Sequence, residues 1–128
     1  MNDTPTVTAG SIALGESARL IASDKVEGTA VYNPKGERLG KVNHLMINKY
    51  TGQVTYAVMS FGGFLGIGEK YHPLPWKMLS YDTRLDGYVV DMDGSKLENA
   101  PSYTSTDLPD WSNRSYTTRI DEYWLLIR

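Results

Sequence analysis

Closely spaced turn signals constrain this sequence more than any other feature. Between Leu20 and Met92, segments rich in Val, Ile and Tyr are interrupted at short intervals by turns: Asn33-Pro34-Lys35-Gly36, Asn48-Lys49-Tyr50-Thr51-Gly52, Gly62-Gly63 and Asp86-Gly87. Short segments between reversals are typical of antiparallel strands. We therefore predict a mainly β fold, in which five or six strands over roughly 70 residues curl into a small antiparallel barrel.

Individual strands follow from the apolar pattern. We predict strands at about 29–32, 39–47, 54–61, 70–76 and 88–92, and the mixed pattern of the second one indicates a β-bulge. Pro73 and Pro75 lie two residues apart, on one side of their strand, and neither can donate a backbone hydrogen bond. This strand is therefore expected at the edge of the sheet or at a barrel seam.

The two ends of the chain differ in composition from the middle. Residues 1–19 are rich in Thr, Ser, Gly and Ala, which predicts a flexible N-terminal arm before a domain at 20–101. Residues 102–128 form a C-terminal extension whose aromatic and apolar residues recur at helical spacing. We predict a C-terminal helix at about 110–127, and short helical turns at 76–79 and 95–98.

The composition excludes several classes of function. The 128 residues include no cysteine, so disulfides and thiolate sites are ruled out. Thirteen basic against 15 acidic residues give a net charge of −2, which offers no basic surface for DNA. No apolar run approaches the roughly 20 residues of a membrane span, and the first fifteen residues lack the basic start of a secretory signal. We expect a cytoplasmic protein with no transmembrane segment.

No motif indicates catalysis or cofactor binding. In the glycine-rich loop that starts at Gly62, Glu69 stands where a phosphate-binding loop needs lysine. The two histidines, His44 and His72, do not have metal-ligand spacing. We predict no catalytic residue, no cofactor and no metal. An enzyme ranks third among the hypotheses, because it would need a pocket that places a histidine beside a buried carboxylate.

Apolar and aromatic residues outside the strands are candidates for binding a protein partner. They form two groups, the tip of the glycine-rich loop and the stripe of the C-terminal helix: Phe64, Leu65 and Ile67, and Tyr116, Ile120, Tyr123 and Trp124. The loop residues could instead tuck under the end of the barrel. Nine tyrosines and three tryptophans could also stack on single-stranded RNA, although the charge balance favours a core and protein interfaces.

Turn and packing residues between Gly28 and Pro101 follow a recognisable arrangement. They are mostly glycines and prolines: Gly28, Gly40, Gly52, Gly62, Gly63, Gly66, Gly68, Pro73, Pro75 and Trp76. This arrangement resembles the PRC-barrel domain, which the cytoplasmic part of the photosynthetic reaction centre H subunit shares with the C-terminal domain of the ribosome maturation factor. It is also similar to stand-alone bacterial members that carry an aromatic-rich tail.

The resemblance implies a six-stranded barrel that holds partners rather than one that makes bonds. We therefore predict a non-catalytic protein-binding or scaffold module. Strands that are apolar on both faces and the aromatic stripe of the C-terminal helix indicate that it self-associates, most simply as a homodimer. One alternative is an accessory protein associated with RNA or the ribosome. Another is a peripheral subunit of a photosynthetic electron-transfer complex.

Overall fold

The computed structural model of the protein describes residues 17–61, 69–92 and 94–126. Most of the predicted N-terminal arm and the tip of the glycine-rich loop lie outside these ranges, and so do the site and motif residues predicted there: Phe64, Leu65, Ile67, Gly62, Gly63, Gly66 and Gly68. Within the described ranges the chain is mainly β.

Six strands, three helices and one 3₁₀ turn make up this part of the chain. In chain order they are α1 (Ser23–Val26), β1 (Ala30–Tyr32), β2 (Arg38–Ile47), β3 (Val54–Phe61), β4 (Lys70–Pro75), the 3₁₀ turn (Trp76–Met78), β5 (Ser80–Asp82), β6 (Gly87–Val89), α2 (Gly94–Glu98) and α3 (Arg114–Leu126). The predicted positions of β1 to β4 agree within one residue. The short elements α1 and β5 were not predicted.

All six strands belong to one sheet, in the order β4-β3-β2-β1-β6-β5. The mainly β prediction is confirmed, but β1 and β6 run parallel, which corrects the prediction of a wholly antiparallel sheet. The parallel pair arises because β6 reaches β1 through a crossover rather than through a hairpin. No backbone pairing among the described residues joins β4 to β5, so the predicted closure of the barrel is not observed.

The sheet is nevertheless curled, because chain connectivity draws its two edge strands together. β4 and β5 lie at opposite ends of the strand order, yet only residues 76–79 connect them. So short a connection brings the end of β4 close to the start of β5. The two edges of the sheet therefore meet at one corner, at the 3₁₀ turn.

The core lies inside this curl. Residues 56–60 of β3 are buried in succession, so both faces of this central strand are covered, as its apolar pattern predicts. The predicted bulge in β2 is confirmed by a shift in its register with β3 between Val42 and His44. Largest among the fully buried side chains are Trp124, Met59, Leu74, Leu97 and Ile120.

Three of the motif glycines occupy positions where a side chain would be strained. Gly28 and Gly52 have φ values of +90° and +80°, which L-amino acids rarely adopt. At Gly40 in β2, an added Cβ would overlap the carbonyl oxygen of Ser60 in β3. These glycines therefore define turns and strand packing.

Candidate functional site

The apolar stripe of α3 faces the sheet rather than solvent. Ile120 and Trp124 are fully buried, and the indole Nε1 of Trp124 donates a hydrogen bond to the Pro73 carbonyl at 3.0 Å. Tyr123 is half-buried and donates its hydroxyl to the carbonyl of Lys96 in α2. Ile120 and Trp124 thus anchor the helix to its own sheet and offer no surface to a partner while α3 is docked.

The C-terminal extension also covers the outer edge of β4. The backbones of Tyr71 and Tyr103 exchange two hydrogen bonds, of 2.9 and 3.0 Å. Further along the same edge, Pro73 and Pro75 have no N–H, and the Pro73 carbonyl accepts from Trp124. The predicted edge position of this strand is confirmed. Its outer edge is occupied and cannot accept another strand.

Trp111 joins the extension to the sheet through a network of aromatic rings. Its ring centroid lies 5.8 Å from that of Tyr56, 6.3 Å from that of Tyr103 and 5.5 Å from that of Tyr116. The predicted residue Tyr116 is therefore half-buried in this network. The sequence prediction did not single out Trp111 or Tyr103, although aromatic residues in an otherwise polar extension were a signal for them.

A groove of about 520 Å³ opens where the β2–β3 hairpin, the 3₁₀ turn and α3 meet. We call it the end groove. At one wall the Tyr56 hydroxyl donates to Asp121 Oδ1 at 3.0 Å. Burial, followed by that hydrogen bond and the charge of Asp121, raises the pKa of Tyr56, so the phenol stays protonated. The wall formed by α3 ends in Leu125, whose side chain is 66% exposed.

Exposed apolar side chains belong to the same elements as the end groove. Ile47 and Tyr50 are exposed on the β2–β3 hairpin, whose residues Asn48, Thr51 and Gln53 line the groove. We define the end surface as the exposed side chains of Ile47, Tyr50 and Leu125 together with Met78, a half-buried residue that lines the groove. None of these four was predicted as a site residue. Leu125 lies next to the predicted helical stripe but does not belong to it. Ile47 is the last residue of a strand whose apolar pattern predicts a buried position.

The two histidines occupy different environments. His44 contacts Asn43 Oδ1 through Nδ1 at 2.8 Å and the Tyr103 hydroxyl through Nε2 at 3.2 Å. Burial lowers its pKa, and the negative charge of Glu27 opposes that shift. Neither histidine has a carboxylate as a hydrogen-bond partner within the described ranges.

His72 is buried in β4, with its ring edge-on to that of Phe61. Burial, together with the charge of Lys70, lowers its pKa to about 4. The Pro101 carbonyl lies beside the ring and opposes this shift, but does not reach hydrogen-bond geometry. His72 is therefore neutral at pH 7.

Pro73, Pro75 and Trp76 also have structural positions. Pro73 is fully buried in β4, Pro75 ends the strand, and Trp76 begins the 3₁₀ turn. Trp76 is half-buried, with its ring in edge-to-face contact with that of Tyr88 at 5.5 Å. These residues therefore stabilise the corner where the two edges of the sheet meet.

The described part of the chain contains neither a metal site nor a membrane-spanning helix. Its His, Asp and Glu side chains do not gather into a group of three that could bind a metal ion. None of its helices is both long enough and apolar enough to cross a bilayer.

Comparison with known proteins places the chain in a family. The sequence model of the PRC-barrel domain matches residues 19–97, and no curated protein matches the chain. One similar solved structure is a Pseudomonas aeruginosa protein described as a 16S ribosomal RNA processing protein, RimM. It is 22% identical, with a TM-score of 0.37, and the match covers 66% of this chain but only 50% of that one. Because the family model spans more than half of its residues, this chain belongs to the PRC-barrel domain family.

Proposed function

We propose that this protein is a non-catalytic protein-binding module that self-associates through its end surface. The proposal rests on the exposure of Leu125, an apolar side chain that is 66% exposed at the wall of an open groove. The neighbouring Trp124 is fully buried, so the exposure of Leu125 is not caused by fraying of the helix from the sheet. Removing such apolar surface from water is the main driving force of protein association.

The composition of the end groove supports a protein partner. Apolar side chains, including those of Val54 and Met78, lie beside polar ones: Asn48, Thr51, Gln53, Lys77 and Asp121. An apolar centre within a polar rim is the usual arrangement of a protein interface. The groove walls also carry both signs of charge, on Lys77 and Asp121.

A second copy of the chain would complement this surface. In a two-fold symmetric dimer each copy presents both an exposed Leu125 side chain and an end groove. Leu125 of each copy can therefore enter the groove of the other copy. Lys77 of one copy could likewise approach Asp121 of its partner. We favour a homodimer over an unrelated partner because the exposed Leu125 side chain and the end groove lie next to each other on the same chain.

Analytical ultracentrifugation of the full chain tests the proposal. We expect a concentration-dependent dimer at about 100 μM, and a monomer for Leu125→Glu, because a buried unpaired carboxylate opposes association. Leu20→Glu is the matched control, since Leu20 is 69% exposed in the N-terminal segment and lies off the end surface. A wild-type chain that stays monomeric at this concentration would contradict self-association.

Association with RNA is the second candidate, and Tyr50 is the observation that favours it. Its side chain is 95% exposed at the tip of the β2–β3 hairpin, beside the exposed Lys49. A ring next to a positive charge can stack on a base and contact a phosphate. Against this, the ring of Tyr103 is inclined by 36° to that of Tyr71 and by 90° to that of Trp111, so these rings do not form a row of parallel faces for successive bases.

Binding to mixed single-stranded RNA in about 50 mM salt, where phosphate contacts are strongest, separates the two candidates. RNA association predicts saturable binding that Tyr50→Ala weakens, whereas the protein-binding proposal predicts none. The outcome of the dimer test with Leu125→Glu does not depend on the result of this RNA-binding measurement.

A further inference from the structure

A second cavity, of about 400 Å³, lies where the C-terminal extension covers the edge of β4. Its volume falls in the range of roughly 300 to 1,000 Å³ that is typical of small-molecule sites. It shares no lining residue with the end groove, so an inference about it does not depend on self-association. We call it the aromatic cavity, after its principal walls: Tyr71, Tyr103, Trp111, His44, Leu108 and Pro109.

The three aromatic walls are held in place by contacts with one another. Tyr71 and Tyr103 are joined by two backbone hydrogen bonds, and their ring centroids lie 5.5 Å apart. The Trp111 ring stands at 90° to that of Tyr103, with centroids 6.3 Å apart. The rings thus form a corner that exists before any ligand binds, which lowers the entropic cost of binding.

The tyrosine hydroxyls at these walls are already engaged within the chain. The Tyr71 hydroxyl donates to Glu69 Oε1 at 3.2 Å, and the Tyr103 hydroxyl contacts His44 Nε2 at 3.2 Å. Leu108 and Pro109 add aliphatic surface, and Ser105 is the other polar lining residue. Such a cavity favours a ligand group that needs few hydrogen-bond acceptors.

The charges around the cavity are mainly negative. Asp107 and Asp110 belong to the loop that forms one wall, and Glu69 contacts Tyr71. Glu27 acts electrostatically on His44, whose lowered pKa keeps the imidazole neutral at pH 7. Two basic residues oppose them: Lys70, which is exposed next to Tyr71 in β4, and Arg119, which lies over the Tyr116 ring of the same network. The surroundings therefore favour a cation.

A ring of the same network already attracts a cation. The Arg119 guanidinium lies over the Tyr116 ring, with its carbon 5.7 Å from the centroid, and Tyr116 contacts Trp111. Aromatic faces attract positive charge through their quadrupole, and Trp does so most strongly. The free volume beside Trp111 offers the same interaction to a ligand.

We propose that the aromatic cavity binds a quaternary ammonium group through cation–π attraction to Tyr71, Tyr103 and Trp111. A primary ammonium carries three donors that require acceptors, whereas the Tyr71 and Tyr103 hydroxyls are already hydrogen-bonded and Ser105 supplies a single hydroxyl. A methylated ammonium carries the same charge without donors, and its methyl groups pack against rings, Leu108 and Pro109. The ligand is thus identified by its chemistry as a small compound with a trimethylammonium group.

Titration of the ¹⁵N-labelled full chain with choline tests this assignment, with 3,3-dimethylbutan-1-ol as the neutral analogue of the same shape. We expect saturable shifts at the residues of the aromatic cavity, with a dissociation constant on the order of millimolar and at least about tenfold weaker binding of the alcohol. Comparing free choline with phosphatidylcholine vesicles distinguishes a soluble ligand from a lipid headgroup.

Charge substitutions at the mouth of the cavity give a second test that does not disturb the fold, because Leu108 is 72% exposed. Leu108→Lys should weaken choline binding several-fold, and Leu108→Glu should strengthen it. Trp111→Leu should weaken binding at least about tenfold, whereas Leu20→Ala, at an exposed position in the N-terminal segment, should not change it. The proposal is overturned if choline shows no saturable binding, if the alcohol binds equally well, or if both Leu108 variants bind choline as the wild type does.

Discussion

The two edges of the sheet are protected in different ways. The outer edge of β4 is covered by the C-terminal extension, through the backbone bridge between Tyr71 and Tyr103 and the hydrogen bond from Trp124 to Pro73. At the other edge, β5 has only three residues, and the Tyr81 side chain is 44% exposed. The chain beside β5 is the N-terminal segment at 17–21, which forms a shallow cavity with it.

This difference shows where long-range contacts stabilise the fold. An exposed sheet edge invites pairing with another chain, and proteins block it either by covering it or by keeping it short. Here β4 is covered by residues about 30 to 50 positions away in the sequence, whereas β5 is kept short. Substitutions on the β4 side should therefore reduce stability more than equivalent substitutions on the β5 side.

The largest effect is expected for Trp124→Ala. The side chain is fully buried and its Nε1 contacts Pro73, so its loss removes apolar burial, a hydrogen bond and close packing. We expect the free energy of unfolding to fall by about 3 to 5 kcal/mol, measured by urea denaturation. Trp76→Ala, a half-buried residue at the corner next to β5, should reduce it by about 1 to 3 kcal/mol. Equal losses would contradict the comparison of the two edges.

Gly40→Ala should reduce stability by about 3 kcal/mol, because its Cβ would meet the Ser60 carbonyl between β2 and β3. The matched control is Gly94→Ala in α2, where the closest atom to an added Cβ is Leu39 Cδ2 at 3.8 Å. Alanine is the better helix former, so this variant should be neutral or slightly more stable. Thermal unfolding of both variants measures the difference, and a tolerated Gly40→Ala would mean that β2 and β3 can separate.

Acid should destabilise the β4 side through His72. Its pKa is about 4 in the folded chain against 6.5 for an exposed histidine, so the unfolded chain binds the proton first as the pH falls. Stability contributed by the neutral ring is complete above about pH 6.5 and is lost between pH 6.5 and 4, by at most about 3 kcal/mol.

His72→Phe removes this titration while keeping a ring in the core. We compare the unfolding free energies of the wild type and of this variant from pH 7.5 to 4. The difference between them should change with pH, because only the wild type loses stability through His72. If the two curves run parallel over the whole range, the ring is not buried as neutral imidazole.

The smallest effects are expected for two tyrosine hydroxyls. Tyr56→Phe removes a hydrogen bond from a buried side chain to Asp121, for an expected loss of about 1 kcal/mol. Tyr81→Phe removes a hydroxyl bonded to Asp86 at the exposed β5 edge, where water replaces the lost partner, and we expect a change within about 0.5 kcal/mol. Chemical denaturation of the two variants side by side measures both losses of stability. A larger loss for Tyr81→Phe than for Tyr56→Phe would contradict this prediction.

Much of the fold was predictable because turns and strands leave local signatures. The positions of β1 to β4 follow from turn residues and apolar alternation, and the edge position of β4 follows from Pro73 and Pro75. β5 was missed because three residues, Ser80 to Asp82, are too few to show an alternation. The candidate site was predictable only in part, because the stripe of α3 does not reveal whether it packs against its own sheet or against a partner.

Local sequence was enough to predict the positions of β1 to β4, the edge position of β4 and a slightly negative net charge, because each of these depends on neighbouring residues or on composition alone. Three features became known only from the folded chain: β1 pairs in parallel with β6, Trp124 is bonded to Pro73, 51 residues away, and Leu125 is left exposed beside the end groove. These features depend on contacts between distant segments. A local pattern of apolar residues predicts that a surface will be covered, but it does not identify what covers it.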